Sequence, residues 1–484
     1  MANPDNSTRT SPAWQCHNLI GGSWVAGRGA SQAVLDKYTG NLITHVAMAS
    51  TDQLKATVDA AHAAFTQQTL SGYERGLMLD RAADGLTERQ EEFVRAVQQD
   101  TGFTRGDALG EIARTIVTLR LSAEEARKLT GEMIPMDGVA GQSARLGFTV
   151  RVPLGVVLAI TPFNAPLNTV AHKLGPALAA GNAVILKPSL HTPVTACLLA
   201  EVLIYAGVPH GFLSVVHGDG ETVRSLQEDQ RIRFFAFTGS TEVGQIIQRQ
   251  AGLRRTQMEL GSIAFTIVCD DANLDVALPK IVNAAYRKAG QVCTSIQHLL
   301  VHQKVMAAAK GRLAAATAAL PYGDPRTEGT VVGPVINEAA AQRIEAWIHE
   351  AVESGAQLLA GGTRQGRVVA PTLLSGVHDD MRVGCSEVFG PVLSLLPFST
   401  LDDAIARVNA TPYGLATGIF TNRLGDAMRA ARRLQVGGVH VNETSSSRVD
   451  VMPYGGSKDS GFGREGPHHA VREMTEERVI TITS

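Results

Sequence analysis

One cysteine, Cys293, stands in the stretch Gly290-Gln291-Val292-Cys293-Thr294-Ser295, led by a glycine and with no second cysteine beside it. A thiol that attacks a carbonyl carbon takes this form, because the thiolate is the nucleophile and needs a polar, electropositive setting. Alone, an intracellular cysteine is more often a small buried apolar residue. Its companions make the chemical reading. Upstream stand Thr161-Pro162-Phe163-Asn164, Ile185-Leu186-Lys187-Pro188-Ser189, Phe237-Thr238-Gly239-Ser240-Thr241-Glu242-Val243-Gly244 and Met258-Glu259-Leu260-Gly261; downstream stands Glu387-Val388-Phe389-Gly390-Pro391. A neutral amide such as that of Asn164 suits a developing oxyanion, where one preorganised donor contributes about 2.7–4 kcal/mol. A carboxylate in a partly closed site suits proton abstraction. The plain structural readings are a turn residue for Asn164 and a solvated strand end for Glu259.

The elements that must position these groups are legible in the hydrophobic pattern. Between residues 154 and 268 apolar strands at 155–160, 182–186, 212–216, 233–237 and 264–268 alternate with amphipathic helices. This is the βαβ pattern of a parallel sheet covered on both faces, whose ligands sit beyond the carboxyl ends of the strands. The upstream motifs fall at those ends, at 161–164, 187–189, 217–220 and 238–243. Ser240 opens a helix over 241–251 whose free N–H groups suit a pyrophosphate. Before the sheet come short strands and turns over 24–46, a helix capped by Ser50 or Thr51 with Leu54, Val58, Ala61 and Phe65 on one face, and further helices over 73–99 and 109–128. A hairpin is expected over 131–152, and a strand over 478–483. A second alternation starts after Cys293 with a strand at 298–301 and an Ala-rich helix to about residue 320.

Composition bounds the class. The 484 residues exceed a usual single domain. The 44 Lys+Arg against 46 Asp+Glu are dispersed, so neither nucleic acid nor an acidic membrane surface is expected as a partner. Cys16, Cys197, Cys269, Cys293 and Cys385 are odd in number and form no CxxC pair. That argues against a disulfide framework or a metal site and fits a reducing cytoplasm. The polar start, residues 1–11, has no apolar segment, and no window reaches the run of about 18 apolar residues that a spanning helix needs.

In this order, the motifs around Cys293 resemble the aldehyde dehydrogenase superfamily, in its NAD(P)-dependent, non-acylating form. The nearest members are the phosphonoacetaldehyde and succinate-semialdehyde dehydrogenase-like ones. The resemblance implies an α/β fold with a Rossmann-like dinucleotide-binding domain (residues 1–130 and 148–260), a second α/β catalytic domain (261–465) and a small β oligomerisation element (131–147 and 466–484). It implies Cys293 as nucleophile, Asn164 with the Cys293 backbone N–H as oxyanion donors, and Glu259 as the base that activates water against a Cys293 thioester. Along NAD or NADP, with NAD the default, it places Ile160, Thr161, Pro162, Phe163, Lys187, Ser189, Gly218, Gly220, Phe237, Thr238, Gly239, Ser240, Val243, Leu260, Glu387 and Phe389. Of these, Lys187 matches the lysine that meets the adenosine ribose, and Glu387 and Phe389 match the pair at the nicotinamide ribose and ring. Two departures matter. Ser262 and Ile263 replace a usual Gly-Lys, which puts the local loop geometry in doubt. Leu190 replaces a glutamate that accepts from the adenosine ribose hydroxyls and would repel a 2′-phosphate, which leaves NADP open.

For the substrate, Arg287 lies where succinate-semialdehyde dehydrogenases carry a carboxylate-gripping arginine. Arg448 lies on the late loop that lines the tunnel in relatives, and Thr294, next to the nucleophile, is a further substrate position. Arg105 follows Phe103-Thr104, where relatives commonly read Lys-Pro. A second carboxylate-binding arginine appears here as His172. Guanidinium groups grip carboxylate, phosphonate or sulfonate in pairs of hydrogen bonds, so a short anionic aldehyde is the expected partner, in a homodimer or homotetramer. Phosphonoacetaldehyde, succinate semialdehyde and sulfoacetaldehyde lead; His172 moves weight towards the phosphonate. The rival readings are a CoA-acylating enzyme, which Glu259 disfavours, structural ion pairs for the arginines, and a non-catalytic binding protein on the same fold.

Overall fold

The computed structural model describes residues 14–483, so the polar start at 1–11 lies outside the described residues. Two large sheets dominate. The first has eight strands in the order Ser23–Val25, Asn18–Ile20, Leu213–Val215, Ala183–Lys187, Val156–Ile160, Ile232–Thr238, Arg255–Glu259, Gly461–Phe462. Its centre is parallel: Val156–Ile160 pairs with Ala183–Lys187 on one side and Ile232–Thr238 on the other. All five side chains of Val156–Ile160 are buried, as expected of a strand covered on both faces, at about 1.5–3 kcal/mol for each large apolar side chain.

The second sheet has seven strands in the order Gln357–Ala360, Thr372–Ser375, Val392–Phe398, Ile296–His302, Ala264–Val268, Ala416–Phe420, Gly438–Val441. Here the sequence reading is corrected. Strand 264–268 belongs to this sheet, between Ile296–His302 and Ala416–Phe420, and not to the first alternation. The last strand of the first alternation is Arg255–Glu259, so Glu259 ends one sheet and the chain crosses to the other within residues 260–263. Gly461–Phe462 returns to the first sheet and pairs with Met258 and Glu259.

The helix over 51–67 is capped by Ser50 in a capping box with Gln53. The single helix expected over 73–99 is two, Gly72–Glu88 and Gln90–Thr101, broken at Arg89 with φ −100 and ψ 19. The hairpin forms from Met133–Ile134 and Arg145–Pro153, and Thr475–Thr483 adds along the other edge of Arg145–Pro153. No described helix is long and apolar enough to cross a membrane.

Candidate active site

The nucleophile turn lies between two rigid pieces. Helix Leu274–Tyr286 ends at Arg287, three consecutive residues then take left-handed backbone, Lys288 (φ 54), Ala289 (φ 53) and Gly290 (φ 68), and strand Ile296–His302 follows Cys293. Two non-glycine residues in that region cost energy and persist because the surroundings hold them. Lys288 is held by an ion pair of 2.7 Å to Glu111, whose other oxygen accepts from the N–H groups of Leu167 and Asn168. Gly290 is required by space as well as by φ: a Cβ there would come 2.1 Å from the carbonyl oxygen of Gly390. The Gln291 side chain accepts from the N–H of Ile336, and its carbonyl accepts from the Asn164 amide at 2.9 Å. The amide is thereby fixed, with its second N–H left for another acceptor.

The turn opens into a cavity of about 720 Å³. Every cofactor position named from the sequence lines it, together with Cys293, Glu259, Asn164, Thr294, Arg287 and Arg448. Burial pushes the Cys293 thiol well above its ordinary value, and the Glu259 charge adds to this; the Tyr454 hydroxyl and Arg448 oppose it. The Glu259 carboxyl is pushed up to about 7, first by burial and then by the charge of Glu465, with Arg448 and Lys173 opposing. Its Oε1 has no hydrogen-bond partner among the described residues. A carboxyl poised near neutrality beside a thiol can take a proton from a water or from the sulfur.

Several charged groups come together here that local spacing does not flag. Tyr454 Oη lies 2.8 Å from Cys293 Sγ. The Arg448 guanidinium stacks 3.8 Å from the centroid of the Tyr454 ring and pairs with Glu465 at 2.8 Å. Glu465 also pairs with Lys173 at 3.1 Å. Burial alone would raise the Glu465 carboxyl; Lys173 and Arg448 outweigh it and hold it well below the ordinary range. Arg448 lines the cavity but its charge is committed to Glu465, so its placement as a substrate grip is revised.

Two further substrate positions are not brought to the cavity. Arg105 is exposed and forms a bidentate pair with Glu91, because it opens helix Arg105–Lys128 on its outer side. His172 is fully buried and bonded to Asp450 at 2.9 Å, and burial, aided by the charge of Arg448, holds it below its ordinary value. An imidazole enclosed in the core and bonded to a carboxylate is not presented to a substrate anion. Arg114, which the sequence reading passed over, lines the cavity and pairs with the same Asp450 at 2.7 Å. Arg287 is different again. It is bonded to the Ser446 hydroxyl at 2.6 Å and has no ion-pair partner among the described residues. Burial pushes its pKa down, though a guanidinium stays charged at any working pH.

The far end of the cavity fits a dinucleotide. Helix Thr241–Ala251 begins in the cavity wall with Ser240 as its cap. The Thr161 hydroxyl is buried without a partner, and the Lys187 ammonium, brought down to about 8 by burial, has no ion pair among the described residues. Glu387 accepts from the Ser262 N–H at 2.9 Å, and burial pushes its carboxyl up to about 7. Ser262 does not have positive φ, so the departure from glycine is accommodated without strain. Phe389 packs edge-on to Phe163 at 5.8 Å. Gly218 has a structural reason besides ligand access: a Cβ would overlap Thr222, whose Oγ1 lies 1.9 Å away.

Comparison with known proteins agrees with this arrangement. The model of the aldehyde dehydrogenase family matches residues 24–480. The chain is similar to the 3-sulfolactaldehyde dehydrogenase of Priestia aryabhattai, 45% identical over 464 residues that cover 96% of this chain and 97% of that protein. Among solved structures it is similar to aldehyde dehydrogenase 21 from Physcomitrella patens in complex with the reaction product succinate. That match has a TM-score of 0.93 and 36% identity and covers 96% of this chain and 98% of the other. It is also similar to NADP-dependent glyceraldehyde-3-phosphate dehydrogenase from Bacillus halodurans C-125 complexed with NADP. There the TM-score is 0.94 and the identity 34%, covering 97% and 99%. The chain belongs to the aldehyde dehydrogenase family and is an enzyme that oxidises aldehydes with a nicotinamide dinucleotide.

Proposed function

We propose that this enzyme oxidises a short aldehyde carrying a remote anionic group to the carboxylic acid, through a thioester on Cys293 that a Glu259-activated water hydrolyses. The observation that carries the substrate reading is Arg287, a partly buried guanidinium on the cavity wall with a hydroxyl as hydrogen-bond partner and no ion pair among the described residues. An unpaired, partly buried cation is costly, and an incoming carboxylate or sulfonate offsets that cost. The sulfonated aldehyde named for the Priestia relative and the succinate bound in the Physcomitrella patens enzyme support the same class and move weight from phosphonate to sulfonate and carboxylate.

In this mechanism the Cys293 thiolate attacks the aldehyde carbon, and the oxyanion takes hydrogen bonds from the free Asn164 amide N–H and the Cys293 backbone N–H. The bound nicotinamide supplies hydride acceptance. Lys187, Ser240 and Glu387 would hold the cofactor, and Thr161 would offer it a free hydroxyl. After acylation, Glu259 takes a proton from the hydrolytic water. On the same reading, the sheet of Met133–Ile134, Arg145–Pro153 and Thr475–Thr483 is the oligomerisation element. Its exposed Leu146, Val479 and Ile482 support this, since an apolar edge gains from pairing with another subunit.

The deciding experiment is kcat/KM for matched neutral, carboxylated, phosphonated and sulfonated aldehydes with each cofactor. Preference for an anionic member over propanal is expected. Equal or better turnover of propanal overturns the substrate class, and undiminished turnover by Cys293→Ser overturns the thioester route.

A further inference from the structure

Of the groups that meet at Cys293, Tyr454 has no part in the hydrolytic route above. Its hydroxyl is 2.8 Å from the sulfur. Its ring is covered by the Arg448 guanidinium, and Arg448 is anchored by Glu465, itself anchored by Lys173. Holding an arginine against a phenol with two buried ion-paired partners is an expensive arrangement for packing alone. A cation on the face of a phenol draws electron density from the ring and makes its O–H a better donor. A thiol sulfur accepts weakly, whereas a thiolate accepts strongly, so this contact tightens when the sulfur ionises.

The charged and titratable groups facing the sulfur are the Glu259 carboxyl, the Tyr454 hydroxyl and the guanidiniums of Arg448 and Arg287. The same carboxyl and both guanidiniums face the Tyr454 hydroxyl. Glu259 works against the thiolate, so a neighbouring donor is needed to keep the sulfur ionisable.

We propose that Tyr454 is a catalytic residue: its phenol O–H donates to the Cys293 sulfur and stabilises the attacking thiolate, with Arg448, held by Glu465, as the positioning residue. This rests on the reading of Cys293 as nucleophile. The thiol proton passes to the Glu259 carboxylate, the S–C bond forms, and the carbonyl π pair moves onto oxygen; Glu259 then releases that proton to solvent before it acts on the hydrolytic water. Tyr454 keeps its proton throughout. Its hydrogen bond weakens as the sulfur loses its charge to the new bond, so the phenol favours the ionised nucleophile over the acylated one.

The test is the rate of alkylation at Cys293 by iodoacetamide against pH in the full-length protein, read by peptide mass spectrometry to separate it from exposed Cys385. Tyr454→Phe, which keeps the ring, is expected to move the midpoint upward by about one unit and slow the neutral-pH reaction about 10-fold. The high-pH plateau and the dissociation constant for the dinucleotide should stay at wild-type values. Arg448→Lys should move the midpoint in the same direction by less. An unmoved midpoint in Tyr454→Phe overturns the proposal, including when stability or the plateau alone changes, since that is what a structural tyrosine would show. Full turnover by Cys293→Ser would instead overturn the nucleophile reading and leave the alkylation result to be judged separately.

Discussion

The Arg287 guanidinium donates to the Ser446 hydroxyl across 2.6 Å and forms no ion pair among the described residues, although the Asp107 charge acts on it. Its neighbours Arg448 and Arg114 are both paired, with Glu465 and Asp450. Of the four arginines on the cavity wall, Arg224 is also paired, with Glu221, so Arg287 is the one without an ion pair and can take a substrate anion. Replacing Arg287 with Ala removes a charge-assisted hydrogen bond, so KM for carboxylated or sulfonated aldehydes should rise about 10- to 100-fold while propanal is spared. Steady-state kinetics on the matched pair checks this. Equal losses on both would mean that Arg287 only shapes the turn.

Arg105 provides the contrast. Its pair with Glu91 is well exposed and forms no part of the cavity lining. Exposed pairs of this kind contribute little, so Arg105→Ala should leave KM for anionic and neutral aldehydes unchanged. A selective rise for the anionic member would restore the role that the sequence pattern had assigned to it.

These two arginines show where sequence reading succeeds and stops. The strands at 156–160, 183–187 and 232–238 were legible because buried parallel strands read as short apolar runs, and the motifs at their ends followed from sheet topology. Strand 264–268 reads the same whichever sheet it joins; its partners Ile296–His302 and Ala416–Phe420 lie too far along the chain to be seen. The break at Arg89 carries no glycine or proline to announce it. Tyr454, Lys173, Glu465 and Glu111 escaped for a related reason. Each finds its partner across more than ten residues of chain, as Lys173 does with Glu465, and a buried charge looks like a surface one until that partner is known. Arg105 was misplaced because residue type and neighbourhood in sequence say nothing about which side of a helix faces the cavity.

The cofactor preference turns on Leu190, which lines the same cavity as Lys187 and Arg224. A glutamate there would place a negative charge beside any 2′-phosphate. Leu190→Glu should weaken the 2′-phosphorylated dinucleotide relative to NAD by at least about 10-fold. Dissociation constants from quenching of protein fluorescence, measured without substrate, check this independently of turnover. Equal weakening of both cofactors would mean that Leu190 contributes packing and not discrimination.

Glu259 links pH to both rate and stability. Its carboxyl titrates at about 7 in the folded enzyme because burial and the Glu465 charge disfavour ionisation, against an ordinary value of 4.5. Only the ionised form can take a proton from water, so the deacylation rate should rise with pH through about 7 and level off above it. Stability runs the opposite way. Between 4.5 and about 7 the unfolded chain has released this proton while the folded one keeps it, so ionisation favours unfolding and stability falls as pH rises across that window. Glu259→Gln removes both effects. It should give a single, slowed turnover of reduced cofactor, with thioester accumulating on Cys293, and it should melt at a higher temperature than the wild type at pH 8, by a margin that shrinks towards pH 5. Single-turnover kinetics and thermal unfolding at the two pH values check the pair. Steady turnover by Glu259→Gln would remove Glu259 from the chemistry, and melting of that variant at the wild-type temperature at pH 8 would mean that the carboxylate is already compensated by Arg448 and Lys173.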